Sequence, residues 1–475
     1  RKGLRMVWEL LSNPVLVSVA VLLALAALRM NVVFALISAA AVGGMLGGLD
    51  GEAFALLGSG EFTEFWQSAV SVFGSTMKSF QSSLDNGAVL AINYVMLGTF
   101  SIAISRSGVT ELIARKLFQW IGCEMTAKKL FCFKYALLGI LTLTAVSSQN
   151  LIPMHIAFIP VLIPPLLPVF DRLRLDRRAV ACVLTFGLIT PYMVLPVGFG
   201  KIYLNTILLD NIRRNGMEVA AAQASPAMLI PALGMVAGLL IAVFLSYRRP
   251  RAYNPVKTEL MVEATEPVEI RPFNVAVGVA AILMALFVQI FLDSLLIGSL
   301  LAVMVFVAAR VIRLRDTQDV FVQGVHLMGG IGIVMIAAAG FANVMKDTGG
   351  VAELVELVKG VAVHYRGVTV FAMLLIGLII TMGIGSSFST VPLIAAIYVP
   401  LCAALGISPL ATIAIVGSAG ALGDAGSPVS ESVLGPTAGL NADGQHDHIY
   451  DSTIPTFLHY NLPLLAAGWI AGMIL

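Results

Sequence analysis

The sequence predicts an all-α polytopic membrane protein of two inverted repeats, each with a re-entrant helical hairpin and a broken transmembrane helix. Three observations predict it. Of the 475 residues, 58% are hydrophobic and 12% are charged, and mean hydropathy is +0.93; a soluble domain carries about 25% charged residues. Two polar words interrupt the most apolar stretches, about half a sequence apart. They are Ser147-Ser148-Gln149-Asn150, just before Pro153, and Ser386-Ser387-Phe388-Ser389-Thr390, just before Pro392. The basic residues gather in the loops between apolar runs, as they do in chains oriented by the positive-inside rule.

A bilayer core about 30 Å thick takes about 20 apolar residues per helix. Spans are therefore expected at 7–28, 32–49, 86–105, 179–213 with a break, and 226–246. A polar linker, 247–272, opens on Tyr247-Arg248-Arg249-Pro250-Arg251. Further spans are expected at 273–292, 295–313, 321–344, 408–441 with a break, and 454–475. Two apolar hairpins remain, 131–170 and 367–406. Each is too long for one helix, has its polar word in the middle and reads as two half-length helices. Val15–Leu28 resembles the core of a secretory signal, but no cleavage site follows and a second span begins at once, so it reads as a helix. The sequence opens on Arg1 rather than Met, and a preceding segment is expected to have been trimmed.

The halves, 1–246 and 273–475, repeat one another around the linker. Gly108-Val109-Thr110-Glu111-Leu112 matches Gly350-Val351-Ala352-Glu353-Leu354, and Asn13-Pro14-Val15 resembles Asn274-Val275. The segments 109–122 and 350–364 read as amphipathic helices at the membrane interface. With re-entrant hairpins, the basic groups at 106–129, 172–178, 248–257 and 310–315 fall on one side. Arg1, Lys2, Arg5, Arg213 and Arg214 are the exceptions. An odd number of crossings per half then inverts the second half.

Four features carry possible chemistry. The hairpin words offer Ser147, Ser148, Asn150, Ser386, Ser387, Ser389 and Thr390, hard oxygen donors without net charge that suit a monovalent cation. The broken spans offer Thr190 and Pro191 in the first half, and Gly423, Asp424, Ser427 and Ser430 in the second. Paired interruptions in the two halves of a membrane chain point to a transporter's binding site. Asp424 stands where Gly and Pro stop the helix, and an acidic residue at membrane depth is functional by default. His155 and Glu431 are further candidates, and each has a structural alternative: a packing histidine and a carboxylate facing the cytoplasm. Gln445-His446-Asp447-His448 with Asp451 has metal-ligand chemistry, but HxH in a polar loop is a weak signal. Cys123, Cys132, Cys182 and Cys402 are scattered and form no CxxC pair. With no phosphate loop and no catalytic triad, an ATP-driven pump and an enzyme are disfavoured, and nothing indicates nucleic-acid binding.

The Ser-Ser words, Gly423-Asp424-Ala425-Gly426-Ser427-Pro428-Val429-Ser430-Glu431-Ser432 and the ending Asp451-Ser452-Thr453-Ile454-Pro455-Thr456-Phe457-Leu458-His459-Tyr460-Asn461 together resemble the NhaC-type group of the ion transporter superfamily. The closest branch is the one of sodium/proton antiporters and amino-acid (histidine-type) permeases. The resemblance covers nearly the whole chain. It implies a scaffold domain, made of the first two or three spans of each half, and a transport domain, made of hairpins and broken spans, that moves as an elevator. In related sodium–dicarboxylate carriers the hairpin tips bind sodium and a carboxylate. Here Ser147, Asn150, Ser387, Thr390 and Asp424 would hold sodium.

The expected function is sodium-coupled uptake of a zwitterionic amino acid, histidine- or methionine-like, by a homodimer in the bacterial inner membrane. Sodium is the coupling ion and no cofactor is expected. The alternative is a sodium/proton antiporter with Asp424 as the shared site. A channel or membrane-embedded enzyme is the third class.

Overall fold

The computed structural model describes residues 12–28, 30–49, 61–109, 127–150, 159–254, 270–292, 294–350 and 366–475, with Ser59, Leu112 and Glu353 besides. Every regular element among them is helical. Eight helices are long and apolar enough to cross a membrane, or up to nine if one bent pair counts as a span. We number the main helices α1 (Pro14–Ala27), α2 (Val32–Gly48), α3 (Phe62–Gln81), α4 (Leu84–Arg106), α5 (Ala127–Asn150), α6 (Arg177–Val194), α7 (Ala224–Ile241), α8 (Pro272–Leu292), α9 (Leu295–Ala308), α10 (Thr317–Asp347), α11 (Arg366–Ile384), α12 (Ser387–Ala404), α13 (Pro409–Ala421), α14 (Glu431–Leu440) and α15 (Leu462–Ile474).

These helices pack mainly within two sets. In the first, α4 lies along α10, α1 pairs with α2, α8 with α9, and α9 also packs on α4. Small residues allow the closest approach: a Cβ on Gly98 would stand 2.5 Å from the Gly324 carbonyl oxygen, and one on Gly324 would stand 2.4 Å from Thr99 N. Hydrophobic driving force fades inside lipid, so such close van der Waals contact carries helix association. In the second set α6 packs on α5, α7 and α14, while α13 is surrounded by α7, α11, α12 and α15. Fewer contacts join the sets, chiefly α1 and α10 on α11, α10 on α14, and α4 on the turn Ile159–Leu162. Exposed apolar side chains such as Phe34, Val89, Leu143, Leu233, Leu283 and Met304 cover outward faces suited to acyl chains.

Two helices start where sequence signals demand. The Asp176 side chain caps α6 and that of Ser408 caps α13, each accepting from a first-turn N–H. Before each cap the chain turns through a left-handed residue, Arg174 (φ 47) and Gly406 (φ 63).

The broken spans lie where expected: α6 breaks at 195–198 before Phe199–Lys201, and α13 breaks over 422–430 before α14. The hairpins differ from half-length arms. α11 has 19 residues and α12 has 18, about 28 Å each at 1.5 Å per residue; α12 bends by 43° between Ala396 and Tyr398, where Pro400 cannot donate to the Ala396 carbonyl and its ring crowds that group. α5 runs unbroken for 24 residues through the first polar word to Asn150; residues 151–158, which follow it, fall outside the described residues. α1 begins at Pro14, with Asn13 as its cap. α3 is not among the expected spans, because its polar residues lower its hydropathy below that of a span. The expected interface helices and the linker beyond Asn254 fall largely outside the described residues.

Candidate ion-binding site

The second break is built on glycine. Gly423 (φ 91) and Gly426 (φ 99) take left-handed backbone that other residues adopt only with strain. There is no room for a side chain either: a Cβ on Gly423 would stand 2.7 Å from the Leu378 carbonyl oxygen, and one on Gly426 would stand 2.5 Å from Phe457 Cα. Asp424, 6% exposed, sits between them.

Three other elements converge on its carboxylate. Tyr192 Oη, on α6 one residue past Pro191, donates to Oδ2 at 2.8 Å. Ser387 Oγ, at the start of α12, donates to the same oxygen at 2.6 Å. Ser430 Oγ, the cap of α14, donates to Oδ1 at 2.5 Å. Tyr192 and Ser387 are themselves 2.8 Å apart, so the phenol, the hydroxyl and Oδ2 form a triangle of oxygens with two hydrogens for three sides. α12 and α14 both begin at hydroxyls bonded to Asp424, so the positive ends of two helix dipoles fall on the carboxylate. None of the ion pairs among the described residues includes Asp424.

The surroundings are filled. The Tyr192 ring lies 4.8 Å from that of Tyr203 and 5.8 Å from that of Phe388. Asn461, fully buried, accepts from Gly423 N at 2.9 Å and donates from Nδ2 to the Ala425 carbonyl at 2.5 Å. Ser427 Oγ donates to the Met382 carbonyl at 2.8 Å and fastens the break to α11.

A charged anchor away from this site aligns the elements that reach it. Arg177, at the start of α6 and fully buried, grips Asp443 with both terminal nitrogens at 2.7 Å and Asp171 at 2.9 Å. It thereby ties the start of α6 to the end of the α14 segment, so Tyr192 and Ser430 approach Asp424 from two sides. The linker begins by docking here: Arg251 N donates to the Arg174 carbonyl at 3.0 Å, and its guanidinium pairs with Asp451 at 2.6 Å.

The structure brings Asp424, Ser387 and Ser430 together, with Gly423, Ser427 and Pro191 shaping the backbone around them. Thr190 Oγ1 is buried without a hydrogen-bond partner. Ser386 stands just before α12 without a side-chain capping bond, Ser389 is exposed, and Thr390 donates its hydroxyl to the Ser386 carbonyl at 3.0 Å. Ser148 likewise donates to the Ala145 carbonyl of its own helix at 2.8 Å. Ser147 is half-buried in α5, outside the Asp424 network; His155 and the Asn150 side chain lie outside the described residues. Glu431 is hydrogen-bonded by Tyr94 of α4, across the boundary between the two sets. The histidine loop is structural: His446 Nε2 pairs with Ser452 at 2.8 Å, and His448 Nε2 donates to the Pro428 carbonyl at 2.8 Å. Burial pushes the His446 imidazole down to about 3. No group of three or more His, Cys, Asp or Glu that could hold a metal occurs among the described residues.

Tyr192 and Asn461 were not among the expected site residues. Asn461 carried a signal, an amide inside an apolar span; a tyrosine in a span carries none.

A helical membrane protein with a buried carboxylate at a helix break has the make-up of an ion-coupled transporter. The chain belongs to the Na+/H+ antiporter family, whose model matches residues 183–469; a second Na+-H+ antiporter family model matches residues 13–121. This bears out the resemblance drawn from the residues. The chain is 52% identical to the membrane protein VP2115 of Vibrio parahaemolyticus over 464 residues, covering 98% of this chain and 100% of that one. It is 49% identical to a membrane protein of Haemophilus influenzae over 472 residues, with the same shares. It is 43% identical over 408 residues to YuiF of Bacillus subtilis, named as a candidate amino acid transporter, covering 85% of this chain and 91% of that one. Among solved structures, the Alcanivorax borkumensis YdaH transporter aligns at a TM-score of 0.40 and 16% identity, covering 85% of this chain and 88% of that one. The Neisseria gonorrhoeae efflux pump MtrF aligns at 0.41 and 15%, covering 86% and 85%. The protein is thus a membrane transporter and not an enzyme, and its family implies coupling to sodium or protons.

Proposed function

We propose that the protein is a sodium-coupled secondary transporter of the bacterial inner membrane in which Asp424 holds the sodium ion, exchanged there for protons. One observation carries this reading: the buried carboxylate is met by Tyr192, Ser387 and Ser430, three neutral hydroxyls from three elements, and by no basic side chain in the ion pairs described above. Taking a carboxylate out of water costs several kcal/mol unless it is compensated, and a small monovalent cation among hydroxyl oxygens compensates it. The close packing of Tyr192, Tyr203 and Phe388 around these oxygens favours an ion over a bulky zwitterion. We confine the proposal to this site, because Asp424 supplies the negative charge and the bonds of the Ser148 and Thr390 hydroxyls run to backbone carbonyls rather than to it.

The moving parts are proposed to be the two packing sets, α1–α4 with α8–α10 as scaffold and α5–α7 with α11–α15 as transport domain, in an elevator that works as a homodimer. Inverted repeats 1–246 and 273–475, joined by the linker 247–272, are supported by equivalent contacts. Gly187 packs on Ala145, and Ala419 packs on Gly377. The spacing that relates these pairs, 232 residues, also separates Tyr192 from Asp424, Arg174 from Gly406, Asp176 from Ser408, Pro160 from Pro392 and Pro231 from Pro463. The hairpin feet support the inversion. Lys134 and Arg174, in the feet of the first hairpin, bond to the linker residues Arg248 and Arg251. Arg366 and Ser408, at the feet of the second, bond to Gly472 and Leu475.

Amino-acid uptake driven by sodium is the second reading, favoured by the name of the YuiF relative. Transport assays in proteoliposomes separate the two. Exchange predicts sodium efflux coupled to internal acidification without any amino acid, abolished in Asp424→Asn. Sodium-dependent amino-acid accumulation without such exchange would replace the first reading with the second. A fully active Asp424→Asn would remove both.

A further inference from the structure

We propose that Asn461 is a positioning residue of the ion site, whose carboxamide fixes the unwound turn carrying Asp424 and so sets cation affinity and selectivity. The proposal rests on the reading of Asp424 as the cation site.

Asn461 ends the wide-turned segment Phe457–Asn461, immediately before α15. Its Oδ1 accepts from Gly423 N and its Nδ2 donates to the Ala425 carbonyl. One side chain thus ties the peptide groups on both sides of Asp424, using an acceptor and a donor that a carboxamide supplies together. The turn needs that support. Gly423 and Gly426 are the residues least restrained by their own side chains, so what fixes the direction of the carboxylate must come from outside the turn. The same segment supplies a second support, since the backbone of Phe457 lies directly against Gly426. Wide π-type turns inside helices mark functional sites with some frequency, and here the wide turn delivers both contacts. A carboxylate held in one direction suits one ionic radius; selectivity among cations depends on cavity size and on the flexibility of the ligands. A loosened turn lets Asp424 follow a larger ion.

A purely structural Asn461 would satisfy two backbone groups and nothing more. The two roles separate in a thermal-shift titration of the purified full-length protein with sodium chloride and, in parallel, potassium chloride. A ligand bound to the native state raises the unfolding temperature by mass action. Asn461→Ala should raise the sodium concentration that gives half the maximal shift by about tenfold or more, the usual effect of removing a residue that orients a metal ligand. It should also narrow the sodium-to-potassium ratio. Asn461→Gln keeps both polar groups on an arm one methylene longer and should fall between wild type and Ala. Ser418→Ala removes a buried hydroxyl without a partner on the neighbouring α13 and should leave both quantities alone. If Asn461→Ala cannot be purified, Asn461→Gln decides by the same two readouts. Lowered stability with wild-type half-effect concentration and wild-type ion ratio would overturn the proposal and leave Asn461 as a structural residue. A wild-type protein with no cation-dependent shift would instead overturn the assignment of Asp424, and the role of Asn461 with it.

Discussion

Asp424 owes its place in the account to what surrounds it: two glycines that let the chain unwind, three hydroxyls that point inward, and no paired guanidinium or ammonium among the described residues. A hydrogen bond to a charged group contributes about 1.5–3 kcal/mol. Ser387→Ala and Ser430→Ala should each raise half-saturating sodium by about tenfold, measured as sodium-dependent flux, while Ser147→Ala should leave it within twofold. An equal effect at Ser147 would mean that the first hairpin word also reaches the ion. Much of this site was legible in the sequence, because an aspartate between glycines in an apolar run is functional by default at membrane depth, with a helix cap at a loop mouth as its structural alternative. Tyr192 was not legible. Its hydroxyl matters because α6 brings it against a residue 232 positions later, a meeting that no local pattern announces. The Ser148 and Thr390 hydroxyls donate to carbonyls of the preceding turn, a common local bond for Ser and Thr in helices that leaves their oxygen lone pairs available.

Helices were mostly legible as apolar runs of span length, and the breaks were legible through Gly, Pro and polar residues. Two elements were not. α3 mixes Glu64, Gln67, Ser71 and Lys78 with its apolar residues, so hydropathy overlooks it although Ala69, Thr76 and Phe80 are buried. The alignment of the hairpins is the second: the polar words pair Pro153 with Pro392, whereas the repeat as proposed, with its 232-residue spacing, pairs Pro160 with it. Packing between helices fixes register more firmly than a few hydroxyls do. The close approach of α4 to α10 gives an element-level test. Gly98→Val forces a side chain onto the Gly324 carbonyl and should destabilise the protein by at least about 1–3 kcal/mol, seen as a lower unfolding temperature. Gly139→Ala, with nothing within 4 Å of its Cβ, should be neutral or slightly stabilising. The anchor gives a second test: Asp443→Ala strands the buried Arg177 and should cost about 3–5 kcal/mol. Stability within about 0.5 kcal/mol of wild type would show that Asp171 suffices.

At the scale of the whole molecule, the anchor at Arg177, the first residues of the linker and the feet of the first hairpin lie together, while Arg366, Ser408 and the end of α15 form a separate set of contacts. With the positive-inside rule, single cysteines near Arg174, Arg251 and Arg313 in a cysteine-free background should react only with cytoplasmic reagent, and those near Asp347 only with external reagent. Labelling of Arg174 and Asp347 positions from one side would refute the inverted arrangement. The central claim is narrower than the topology: one buried carboxylate holds the driving cation. Equilibrium binding of radioactive sodium to the purified protein tests it most directly. The account predicts saturable binding of one ion per chain in the wild type, lost in Asp424→Asn and retained in Ser147→Ala; undiminished binding in a folded Asp424→Asn protein would contradict it.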